Sequence, residues 1–104
     1  MQLTNEELKF LKECNYLYKK DGYQIPKGIV RLSRDYQDLL LNSAFDKLTN
    51  VLRNDQLNKQ EATILLLEIH YVSEYYDIDD SGMDLIGLYN RLALLAGMEP
   101  LKRQ

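Results

Sequence analysis

Residues 64–69 read Ile-Leu-Leu-Leu-Glu-Ile, shortly after the cap signal Asn58-x-x-Glu61. A helix through this stretch is apolar on most sides, and such a helix is stable only when several neighbours bury it. The chain must therefore supply further helices to surround it. At about 100° per residue, Lys59, Thr63, His70, Ser73, Glu74 and Asp77 share one narrow polar stripe, the only side left for solvent. The helix is expected to run to about Tyr76.

The other cap and stop signals agree. Thr4-x-x-Glu7 is a capping box. Leu8, Leu11, Cys14 and Tyr18, with Phe10 and Leu17 alongside, give a broad apolar face as far as Lys20, and Asp21-Gly22 stops it. A second helix is expected to restart near Pro26, with Ile29, Leu32, Tyr36, Leu40, Ala44, Leu48 and Val51 as its inner stripe. Asn42-Ser43 is a potential break, so residues 26–54 read as one bent helix of roughly 25 residues or as two shorter ones. Ser81 with Asp84 offers a third cap, before a helix carrying Leu85, Leu88, Tyr89, Leu92 and Ala96 that ends at Gly97 with Pro100 behind it. No strand signal competes. The chain reads as a single all-α domain over residues 1–104, a small bundle of four to five helices.

With 104 residues, 45 % apolar and 28 % charged, the chain is too apolar for a disordered segment. One cysteine excludes a disulfide scaffold. No stretch approaches the roughly 18 apolar residues of a membrane span, and Met1 to Glu7 lack the basic start of a signal peptide. The expectation is a cytoplasmic setting with no membrane contact. Asn, Lys, Tyr and Ile usage leans toward an AT-rich bacterial or phage genome. Net charge is −3, against the basic footprint of non-specific nucleic-acid binding. The charge is uneven: residues 1–54 hold nine basic and seven acidic side chains, residues 55–104 four and nine.

Catalytic chemistry finds little footing. His70 is the only histidine and lies on the polar stripe, with Glu74 one turn on but no nucleophile placed beside it. Cys14 belongs to a core face. No enzyme, cofactor or metal site is expected.

Glu68 is the more unusual residue. It projects with Leu65, Val72 and Tyr75, almost opposite His70. An ionised carboxylate on an apolar face is costly unless paired, so the expectation is a buried polar residue bonded to Arg31, Arg53, Arg91 or a tyrosine hydroxyl.

The turn Asp77-Ile78-Asp79-Asp80-Ser81-Gly82 resembles the first half of an EF-hand loop, with Asp77, Asp79 and Ser81 at alternate ligand positions and Gly82 at the sixth. Position twelve is Leu88 instead of the bidentate glutamate, and position eight is Asp84 where an apolar residue belongs. That departure predicts no calcium binding tighter than about millimolar, and a degenerate EF-hand-like calcium protein stands as the second functional alternative. Separately, the run Ile25-Pro26, Ile29, Arg31-Leu32 through Leu57-Asn58-Lys59-Gln60 and Leu65-Leu66 is loosely similar to the last two helices of bacteriocin immunity proteins, which are small four-helix bundles. It covers less than half of the chain, carries no specific motif, and is followed here by a helix where that family has a short tail. No family is assigned from it.

The functional expectation is a small non-enzymatic module that binds another protein, in a regulatory, inhibitory or immunity-type role. Tyr18 and Tyr23 as exposed aromatic anchors, with Asp79 and Asp80 as a charged rim, form the expected contact surface. Self-association is a further possibility. The alternative is a nucleic-acid-binding regulator, in which Lys19, Lys20, Lys27, Arg31 and Arg34 meet phosphates and interleaved tyrosines stack on bases.

Overall fold

The computed structural model describes residues 3–23, 33–50 and 56–101. Among these residues the chain forms four helices and no strand: α1 (Asn5–Lys20), α2 (Arg34–Thr49), α3 (Lys59–Tyr75) and α4 (Leu85–Ala96). The all-helical bundle expected from the sequence is what the structure shows.

Helix α3 is the axis of the bundle and packs against each of the other three. Ten of its residues are buried, from Glu61 to Val72, while Lys59, His70, Ser73 and Glu74 keep the solvent stripe that its periodicity predicts. Leu65 is fully covered and Ile69 is 3 % exposed. Both capping boxes form. The Thr4 hydroxyl accepts from the Glu7 amide at 3.1 Å while Glu7 reaches back to the Thr4 amide at 2.9 Å, and Asn58 and Glu61 exchange the equivalent pair at 2.8 Å each.

Local hydrogen bonds set the ends and the continuity of α2 and α4. Helix α2 begins at Arg34, where Ser33 in extended conformation accepts the Tyr36 amide at 3.1 Å. The expected start near Pro26 falls on residues 24–32, which lie outside the described residues. The helix then passes unbroken through Asn42 and Ser43, because the Ser43 hydroxyl donates to Glu61 on α3 instead of competing for its own backbone. At α4 the cap is Asp84, whose carboxylate accepts the Gly87 amide at 3.0 Å. Gly97 ends α4 in the left-handed region at φ 72°, and the Met98 amide closes back onto Ala93 at 2.8 Å.

The inner face of α2 is also rotated from the expected stripe. Gln37, Leu40, Leu41 and Ala44 are buried, whereas Tyr36 is 41 % exposed. Gln37 is drawn inward by the Tyr18 hydroxyl, which donates to its side-chain oxygen at 2.8 Å in the interior. One face shift follows from one buried hydrogen bond.

Candidate functional site

Tyr18, expected as an exposed anchor, has no solvent exposure. Its ring meets Tyr23 and Tyr71 edge-on, at centroid distances of 5.7 and 5.6 Å, and its hydroxyl is used by Gln37. Burial explains the correction: position 18 continues the Leu11–Cys14 face of α1, and Gln37 satisfies the one polar atom. Tyr23 is half-buried, left-handed at φ 59°, and held there by a 2.8 Å bond from its hydroxyl to Asp38. Burial, together with that bond, pushes the Tyr23 phenol up to about 12.

Asp79 and Asp80 are exposed as expected, but Asp79 spends an oxygen on the Ser81 amide at 2.9 Å in a local Asx turn. With Asp84 capping α4 and Leu88 fully buried, this segment is a helix-capping turn in which positions eight and twelve of the hand-like pattern face other tasks. Among the described residues no group of three or more His, Cys, Asp or Glu side chains is placed to hold a metal ion. No helix among them is long and apolar enough to cross a membrane.

Of the basic set, Lys19 is paired with Asp38 at 3.2 Å, and Lys20 and Arg34 are exposed. Lys27 and Arg31 lie outside the described residues. His70 is exposed and shares a 2.7 Å hydrogen bond between its Nε2 and the Tyr89 hydroxyl. Cys14 is sealed in the core, where burial pushes its thiol up to about 12.

The arrangement that sequence periodicity missed is a surface groove between α3 and α4. Its apolar end, of about 210 Å³, is lined by Ile69, Leu85, Ile86, Tyr89 and Leu101, with His70 and Ser73 at the edge. Ser73 and Leu85 also line a second hollow of about 200 Å³, with Phe10 of α1 and Tyr76, Asp77, Ile78 and Asp80. The wall is built by a side-chain clamp: Asn90 donates to the Leu101 carbonyl at 3.1 Å and accepts the Leu101 amide at 2.7 Å. That clamp holds Leu101 next to the partly exposed Ile86. The sequence signal was the exposed phase of α4: Ile86, Asn90 and Leu94 recur every four residues, and Ile86 and Leu94 are 40 % and 67 % exposed.

Glu68 lies at the centre of the molecule with no exposure, and neither carboxyl oxygen has a hydrogen-bond partner. Among the described residues the expected pairing is not made. Arg91 goes to Glu7 instead, and Arg31 and Arg53 are outside the described residues. Tyr75, projected beside Glu68, is 66 % exposed because α3 is at its last residue there. Desolvation raises the Glu68 carboxyl well above the ordinary range, opposed only in part by Lys19.

No protein-family model, curated protein sequence or solved structure matches the chain.

Proposed function

We propose that this chain is a non-enzymatic protein-binding module, and that its partner presents an amphipathic segment with apolar anchors and basic flanks. The observation that carries the reading is the pair of hollows that share Ser73 and Leu85, one apolar at Ile86, Tyr89 and Leu101 and the other acidic at Asp77 and Asp80. A patch of large apolar side chains left in water beside a charged rim suits a protein contact. The acid-rich second half of the chain favours a basic flank on the partner. A non-enzymatic role is supported by the two groups most suited to chemistry: Cys14 is sealed away with a poorly ionised thiol, and His70 is engaged by Tyr89.

The experiment is an amide-shift titration with a synthetic leucine- and lysine-bearing amphipathic peptide. The reading expects shifts at Ser73, Leu85 and Ile86 that are abolished by Ile86→Glu and weakened by Asp80→Lys. Unchanged spectra would overturn it. Salt-sensitive binding of duplex DNA at Lys19, Lys20 and Arg34 would replace it with the nucleic-acid reading. Sedimentation of the free chain as a dimer, lost in Ile86→Glu, would assign the groove to a second copy.

A further inference from the structure

The buried acid of α3 has no structural task. Both Glu68 oxygens are enclosed without a donor, and Asn15 Oδ1 is the only other buried side-chain oxygen or nitrogen in that condition among the described residues. An ionised carboxylate in such a space has no compensation, so the closed bundle requires the neutral acid. Among the described residues, the neighbouring helices bring the following polar and titratable groups towards α3. Helix α1 brings Cys14 and Tyr18, both fully buried, and Lys19, which is paired with Asp38 of α2. Tyr23 follows, bonded to Asp38. Helix α2 otherwise buries Gln37, which is taken by Tyr18, and helix α4 brings Tyr89, which is taken by His70.

We propose that Glu68 is a proton-controlled latch on the packing of α1 against α3: protonated, it keeps the interface shut over Cys14 and Tyr18, and loss of the proton opens it. The physical reason is the absence of any donor within the shut interface. Once the carboxylate forms, water and Lys19, the cation among the described residues whose field reaches it, relieve its charge, and both routes require α1 to move away from α3. The α1–α2 contact has a ready point of release, because the Lys19–Asp38 pair is partly exposed, with side-chain exposures of 33 % and 47 %.

Cys14 reports the opening directly. Its rate of reaction with dithiodipyridine is measured across pH in the wild-type chain and in Glu68→Gln, while circular dichroism monitors helix content. The latch predicts equal rates near about pH 5 and a wild-type rate at least about tenfold above that of Glu68→Gln near about pH 9, with helix content unchanged. Simple electrostatics predicts the reverse, since a negative Glu68 disfavours the Cys14 thiolate and slows the wild type. Equal or slower wild-type rates at high pH overturn the proposal. So does loss of helix in step with thiol exposure, which would mean global unfolding. Should Glu68→Gln fold poorly, Glu68→Leu serves as the comparison, and amide exchange along α1 in the wild type must accelerate over the same pH range.

Discussion

Glu61 and Glu68 stand two turns apart on α3, both without solvent exposure, and the fold shifts their carboxyl pKa values in opposite directions. Burial pushes Glu61 upward, but Lys47 at 2.8 Å, the Ser43 hydroxyl and the Asn58 amide outweigh it and hold the carboxyl below its usual range. Glu68 has none of these donors, and desolvation acts on it almost unopposed. One helix thus carries near its start an acid whose charged form is favoured, and at its centre an acid whose neutral form is favoured.

Replacing Glu68 with methionine should stabilise the protein. The change removes an unpartnered buried acid and fills its volume with an apolar chain, a gain of about 1–3 kcal/mol near neutral pH. Urea unfolding of Glu68→Met against wild type measures it, and a destabilised variant would point to a bond that Glu68 makes.

Lys47→Met should do the opposite. It leaves the Glu61 carboxylate without its cation in a site where that carboxylate has no exposure, at a cost of about 1–3 kcal/mol. This lies below the about 3–5 kcal/mol of a fully buried broken pair because Lys47 retains 17 % side-chain exposure. Urea midpoints for Lys47→Met and Lys47→Arg separate lost charge from lost packing.

The two acids set opposite limbs of the pH–stability curve. Glu61 has a lowered folded-state pKa, so its contribution is complete above the unfolded carboxyl value of about 4.3 and is lost as pH falls through the folded value. Glu68 has a raised one. Its contribution is complete below about 4.3 and is lost progressively as pH rises towards the folded value. Melts of wild type and Glu68→Gln should therefore diverge upward from mildly acidic pH, with the glutamine variant the flatter. Parallel curves would remove Glu68 as the source.

Core substitutions check the orientation of α3. Leu65→Ala and Ile69→Ala should each cost about 2–5 kcal/mol. Thr63→Ala, whose hydroxyl donates only to the Lys59 carbonyl of its own helix, should cost well under about 1 kcal/mol. Equal urea midpoints for Leu65→Ala and Thr63→Ala would place the solvent stripe on the wrong side.

Local signals carried far because they are local chemistry. Thr4 with Glu7, Asn58 with Glu61, and Gly97 before Pro100 act within one turn of helix, and each does what its spacing predicts. Periodicity likewise marked Leu65, Ile69 and the burial of Glu68. What it missed was tertiary. Tyr18 can be buried because Gln37, nineteen positions away, accepts a hydrogen bond from its hydroxyl, and no spacing rule ties those two residues. The same holds for Glu7 with Arg91, and for Asp21, which accepts from Tyr71 and Tyr76 at 2.6 and 2.7 Å and joins the ends of α1 and α3. The α3–α4 groove was hidden for a related reason. It depends on Asn90 holding the backbone of Leu101 eleven residues on, a contact between side chain and chain end that hydropathy does not encode.

The carboxyl carbon resonances of Glu61 and Glu68, followed by carbon-detected nuclear magnetic resonance from acid to mildly alkaline pH, test the central claim most directly. The account predicts that at neutral pH Glu61 resonates as a carboxylate and Glu68 as a carboxylic acid, with Glu68 titrating well above the ordinary carboxyl range. A Glu68 signal already in the carboxylate position at neutral pH, in a chain whose α1 amides remain protected, would contradict it.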